Sequence, residues 1–232
     1  MNPYRDVAMD YRAQGWLGTI PLPYREKHPP PTGSIGHAAP HPTVEQVQEW
    51  SSDGKRHNIG IRLAGVSKDY EILGIDVDHY KSGQKDKRGF DQLTELEGKF
   101  GLLPTTWISS SRVDGKSGIR YFRVPRGFAY RGKIADDIEC ISKGTRFAVV
   151  WPSIHPDGPT YWWFPPGVTP DRGGRKAWDQ QIPKASELPI LPEEWHKYLT
   201  QGGMRADAKE RIDIESSVQE IYDWADATFH GD

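Results

Sequence analysis

Two aspartates, Asp76 and Asp78, close the apolar run Ile72-Leu73-Gly74-Ile75 that rises out of Glu71. Side chains alternate along an extended strand, so residues two apart project from one face. Two carboxylates held that close repel each other, and a cation between them relieves the repulsion. Hard oxygen ligands with an open outer shell suit Mg²⁺ or Mn²⁺, usually shared with a phosphorylated substrate. The competing reading is a pair of exposed turn aspartates after a strand. The apolar lead-in marks that strand as buried and favours the metal reading.

A metal shared with a phosphorylated substrate needs positive charge nearby. The 232 residues carry 30 Lys/Arg and 32 Asp/Glu, a net −2 that does not suit a general polyanion binder. The charges are unevenly spread. From Arg112 to Arg146 there are nine Lys/Arg against four Asp/Glu, and from Glu187 to the C-terminus four against eleven. A basic middle beside the carboxylate pair suits a triphosphate or a nucleic-acid backbone; a solvated face of mixed loops is the alternative. The single Cys140 excludes an intramolecular disulfide and a Cys-rich zinc module, and suggests a reducing cytoplasm. There is no basic-then-apolar leader and no apolar run of about 18 residues, so no membrane partner is expected.

The elements that must position these groups are legible in outline. Nine Trp, ten Tyr and seven Phe supply core for one sizeable domain or two small lobes. Residues 4–18 read as a helix punctuated by Gly15, and residues 16–22 as a strand. Six of the 19 prolines fall between Pro23 and Pro42, marking an extended loop. Thr43 opens a short helix with a capping-box pattern. Residues 58–63, the Asp76 segment, 104–111, 119–124, 138–140, 146–151 and 161–164 read as extended, and 89–100 as helical. Residues 165–192 form a Pro- and Gly-rich loop. Residues 213–229 place Ile214, Val218, Ile221, Ala225 and Phe229 on one side of an amphipathic helix. Periodicity alone gives a mixed α and β protein without regular alternation.

Three segments line up in order: the Asp76/Asp78 strand, the basic strand Lys116-Ser117-Gly118-Ile119-Arg120-Tyr121-Phe122-Arg123, and Asp137-Ile138-Glu139 leading into Phe147–Trp151 and Pro152-Ser153-Ile154-His155-Pro156-Asp157-Gly158. With the opening Gly15-Trp16, Ile20-Pro21-Leu22-Pro23 and Lys27, the Asn58-Ile59-Gly60-Ile61 strand and the closing Tyr161-Trp162, the chain over residues 4–165 resembles the bifunctional primase/polymerase N-terminal domain. That family belongs to the archaeo-eukaryotic primase superfamily and is carried by many phages and plasmids. Each motif alone is weak; the ordered set is fairly specific.

The resemblance implies an α+β fold, with an N-terminal αβ lobe packed on a small antiparallel sheet like that of an RNA-recognition module. Residues 1–186 would form this catalytic domain, and residues 187–232 an acidic helical extension leading into further domains. It implies template-dependent nucleotidyl transfer with Mg²⁺ or Mn²⁺ held by Asp76, Asp78 and Glu139; Asp137 competes with Glu139 for the third place. The family's second motif has a His before an aromatic pair, and this chain has none. Arg120, with Ser117 nearby, is the expected substitute for the phosphate contact, and Arg112 or Lys116 serves if Arg120 faces away. Ser153 and His155 fall in the turn that contacts sugar or phosphate, and Lys27 matches a family Lys. The remaining histidines, His28 among them, lack ligand spacing. The implied partners are a DNA template and primer, dNTPs with NTPs also open, and a helicase fused or in trans.

Two other classes compete. A sugar-nucleotide glycosyltransferase or a nuclease also uses an Asp-x-Asp metal site, but leaves the basic strand and the Pro-Ser-x-His turn unexplained. A degenerate, non-catalytic domain that only binds single strands would account for the missing His.

Overall fold

Pro3 opens α1 (Pro3–Ala13), where its missing N–H has no helical partner to lose. Tyr4, Val7, Ala8 and Tyr11 fall on one stripe of this helix and are buried. Gly15, at a φ of 87°, turns the chain toward β1 (Thr19–Pro23). The proline-rich loop leads to α2 (Val44–Ser52), whose Thr43 cap accepts from Gln46 N at 3.2 Å. Next come β2 (His57–Ile61), β3 (Tyr70–Val77), β4 (His79–Ser82), β5 (Lys85–Arg88), α3 (Gly89–Phe100), β6 (Ile108–Ser110) and β7 (Gly118–Pro125). They are followed by β8 (Lys133–Ala135), β9 (Ile138–Ile141), β10 (Ala148–Val149), β11 (Trp162–Phe164), a 3-10 turn (Ala185–Glu187) and α4 (Glu193–Leu199). The computed structural model describes residues 1–36, 38–168 and 181–200; the helix expected over 213–229 lies outside them.

The architecture is α+β, and the pairings between these strands are antiparallel. A three-stranded sheet has the order β1-β2-β10, and a six-stranded sheet the order β11-β6-β7-β3-β9-β8. Strands β4 and β5 form a separate ribbon. Strand β3 lies inside the larger sheet, between β7 and β9, and is covered on both faces. Leu73, Ile75 and Val77 pack with Leu93 and Leu96 of α3, Phe122 of β7, and Trp195 and Leu199 of α4. Ile72, on the opposite face, joins Ile119, Tyr121 and Ile141 in a core shared with Ile59 and Ile61 of β2 and Tyr4 and Tyr11 of α1. Each aliphatic side chain so buried contributes roughly 1.5–3 kcal/mol. The two-sided burial fixes the register, since a one-residue slip would drive Asp76 under α3.

Aromatic side chains lock the smaller sheet to the larger one. The Tyr11 hydroxyl donates to Trp151 O at 2.6 Å and accepts from Trp163 Nε1 at 2.6 Å. Trp16 packs edge-on to Tyr121, with ring centroids 5.5 Å apart. No helix among the described residues is long and apolar enough to cross a membrane.

Candidate active site

A cleft of about 760 Å³ opens where the Asp76 face of the six-stranded sheet runs out from under the shared core. Its floor carries Asp76, Asp78 and Glu139. Antiparallel register sets Glu139 of β9 directly opposite Asp76 of β3, on the same face. Asp78 follows the end of β3. Its N–H donates to Asp137 O at 2.9 Å and its carbonyl accepts from Gly89 N at 2.8 Å, so its backbone is held from both sides.

The carboxylates act on one another. Burial, then the charges of Asp78 and Glu139, push the Asp76 carboxyl up to about 7, with Lys27 and Arg146 partly offsetting the rise. Glu139 is gripped by Arg146, whose Nη2 donates to Oε1 at 3.0 Å while Nη1 meets Oε2. Among the described residues no three His, Cys, Asp or Glu side chains are gathered into a ready-made cage. The donor set nevertheless fits a hard divalent cation. Mg²⁺ takes one or two carboxylates plus waters and substrate phosphates, not an all-protein shell, and the unfavourable charge on Asp76 is what such a cation would relieve.

Asp137 and Glu139 are separated by their contacts. The Asp137 carboxylate accepts from Lys87 Nζ at 2.7 Å and from Arg88 N at 2.9 Å, with Gln92 Nε2 at 3.5 Å. These partners hold its pKa below the usual range, the Arg88 N–H foremost. It ties the ribbon and the start of α3 to β9 and does not line the cleft. A depressed folded pKa gives stability that is present above the unfolded carboxylate pKa and lost as pH falls through the folded value. Asp137→Ala should therefore lower stability by about 1–2 kcal/mol at neutral pH, read in thermal melts. Mn²⁺ affinity, read by calorimetric titration, should stay near wild type. Glu139→Gln should show the reverse pattern.

Above the carboxylates the cleft is lined by Lys27, Arg112, Ser117, Arg146 and His155. Lys27 comes from the proline-rich loop and makes no ion pair among the described residues; its charge reaches both Asp76 and His155. The Arg112 guanidinium lies 4.0 Å over the Tyr80 ring. The Ser117 hydroxyl donates to His79 O at 2.6 Å and so pins the chain after Asp78. His155 is held below its ordinary pKa by burial and by Lys27 and Arg112, so it is neutral at physiological pH. Its Nδ1 accepts from Asp157 N at 3.1 Å and lies 3.4 Å from Asp157 Oδ2, which anchors the ring beside the turn.

Three expectations need correction. Arg120 faces away from the cleft, because register pairs it with Ile75 while Ile119 and Tyr121 share the face of Asp76. It is buried and donates to Gly118 O at 3.2 Å and Lys116 O at 3.1 Å, bracing the turn before β7. Lys116 is exposed, 3.3 Å from His79 Nε2, and is not a cleft residue. Ser153 is fully buried, its hydroxyl accepting from Ile59 N at 2.8 Å and donating to Ile59 O at 3.0 Å, so it splices the turn after β10 to β2. Within the same basic stretch, Tyr121, Phe128 and Tyr130 are core residues.

The sequence reading missed Arg146, Tyr80, Lys85 and His28, all of which line the cleft. Of these only Arg146 carried a usable signal, a cation just past a short turn from the candidate third carboxylate. The family model of the bifunctional DNA primase/polymerase N-terminal domain matches residues 8–192. No individual curated protein and no solved structure matches the chain.

Proposed function

The chain belongs to the bifunctional DNA primase/polymerase N-terminal domain family, a family of nucleotidyltransferases, and from that premise we propose that its cleft joins nucleotides on a DNA template in phage or plasmid replication. The observation that carries this reading is the face shared by Asp76 and Glu139, with Asp78 beside them, beneath Lys27 and the Arg112 guanidinium. We read the six-stranded sheet as the family's RNA-recognition-like sheet, and the β1-β2-β10 sheet with α1 and α2 as the lobe packed on it.

Asp76, Asp78 and Glu139 would hold Mg²⁺ or Mn²⁺. Bound there, the metal would lower the pKa of the attacking 3′-hydroxyl and neutralise charge on the leaving pyrophosphate. Arg112 and Lys27 bind the triphosphate oxygens, Arg112 taking the place first expected for Arg120. Neutral His155 hydrogen-bonds a sugar or phosphate oxygen without adding charge. Arg146 keeps Glu139 in place on the floor before substrate arrives. The buried β3 fixes Asp76 against its neighbours, so the reacting groups meet a preorganised surface.

The test is extension of a labelled primer on a DNA template with dNTPs, with and without Mn²⁺ or Mg²⁺. Metal-dependent extension by the wild type, lost in Asp76→Ala and Asp78→Ala variants that still fold, is the expected result. Oligonucleotide binding without extension in any metal would instead establish the non-catalytic single-strand module. Turnover of UDP- or GDP-sugars with no use of dNTPs would establish the glycosyltransferase.

A further inference from the structure

The β4–β5 ribbon leaves β3 one residue after Asp78 and joins neither larger sheet. Its root is clamped by the Ser117–His79 hydrogen bond and by the bond from Gly89 N to Asp78 O. Its tip turns at Gly83, with a φ of 57°, and residues 81–86 are exposed.

Register places Tyr80 opposite Lys87 and Ser82 opposite Lys85, so these four share one ribbon face. Tyr80, Ser82 and Lys85 line the cleft. Residues 79–88 hold four Lys/Arg against one Asp. Lys87 is tied to Asp137 and Arg88 to Asp86, whereas Lys85 enters no ion pair among the described residues; Lys81 lies opposite Asp86 on the other ribbon face.

Lysines on a free edge can serve only to discourage strand pairing. That role does not explain an aromatic ring capped by Arg112 on the same face, turned into the cleft. An aromatic beside unpaired cations along a groove is how single-stranded nucleic acid is held without sequence preference.

We propose that the β4–β5 ribbon is a docking surface for the single-stranded nucleic-acid backbone running past the cleft, with Lys85 on a phosphate and Tyr80 against a base. This rests on the polymerase reading above, but is tested apart from it. Binding of a fluorescent oligothymidylate is measured by anisotropy in EDTA, without nucleotides, across a salt series.

Lys85→Ala should weaken binding about threefold near 0.1 M salt. It should also flatten the slope of log K against log salt by about 0.7. A control pair of exposed lysines off the cleft, Lys55→Ala/Lys68→Ala, should change neither quantity. Tyr80→Ala should weaken binding about tenfold and Tyr80→Phe should not. Lys85 is exposed, so its variant keeps the wild-type melting temperature and reports on binding alone. Wild-type affinity and slope in Lys85→Ala, or an equal loss in the control pair, would overturn the assignment. A chain that binds through the ribbon yet incorporates no nucleotide would remove the polymerase reading and leave this surface standing.

Discussion

Asp76→Asn should abolish metal-dependent incorporation and, in the same protein, raise the melting temperature without metal at pH 8. Both effects come from one side chain. The Asp76 carboxyl is pushed up to about 7, first by burial and then by Asp78 and Glu139. In the unfolded chain a carboxyl titrates near 4. Between those two values the folded state holds a proton that the unfolded state has lost. Stability therefore falls as pH rises from about 4 through about 7, and stays at the lower level above. Asparagine keeps the shape and removes the charge. The expected gain at pH 8 is on the order of 1–3 kcal/mol, at about 2–4 °C per kcal/mol for a chain of this size. It should shrink toward zero near pH 4, where both side chains are neutral. Incorporation moves the other way. A lost charged oxygen ligand removes several kcal/mol of transition-state stabilisation, which is about 10³-fold or more in rate. Melts in EDTA across pH, paired with primer extension, read both limbs. An Asn variant that still extends primers, or that melts below wild type at pH 8, would remove Asp76 from the site.

The part of this molecule that sequence reading reached is the part governed by alternation and burial. The β3 pattern identified the strand and put Asp76 and Asp78 at its end because the run Ile72-Leu73-Gly74-Ile75 is apolar on both faces until those carboxylates begin. The α3 span was legible because Leu93 and Leu96 fall one turn apart beside charged neighbours. The β4–β5 ribbon was not, since Lys81-Ser82-Gly83-Gln84-Lys85-Asp86-Lys87-Arg88 has no apolar alternation to read. Its position depends on Asp137 and Ser117, far away in sequence. Arg120 failed for a different reason. A strand's residue types do not reveal which alternating set faces the site, and only the pairing of β7 with β3 decides it. Ser153 reads as a ligand in a motif, yet Ile59 takes both of its hydrogen bonds. Glu139 and Asp137 are chemically interchangeable in the sequence, whereas in the fold the bonds from Lys87 and Arg88 N fall on Asp137.

Gly89→Ala should cost more than any change to a neighbouring surface residue, although the glycine opens an ordinary helix. A Cβ there would lie 2.5 Å from Asp137 O, 2.6 Å from Asp78 O and 3.1 Å from Asp78 N. All three are backbone atoms, so no side chain can swing aside. The end of β3, the turn before β9 and the first residue of α3 meet at this point, and two hydrogen bonds, Gly89 N to Asp78 O and Asp78 N to Asp137 O, hold them there. A methyl group must push the segments apart by several tenths of an ångström. Overpacking of this kind costs about 1–3 kcal/mol, and thermal melts should fall by several degrees. The displaced segment carries Asp78, and a misplacement approaching 1 Å at a reacting centre costs about 10²-fold in rate. Incorporation should therefore fall about 10²-fold even at temperatures where the variant is fully folded. Gly98, in the interior of the same helix, has nothing within 4 Å of its would-be Cβ. Gly98→Ala should stabilise the protein by about 0.5–1 kcal/mol, because alanine is the better helix former, and should leave incorporation unchanged. If the two variants behaved alike in both assays, the close approach at Gly89 would not be what aims Asp78 into the cleft.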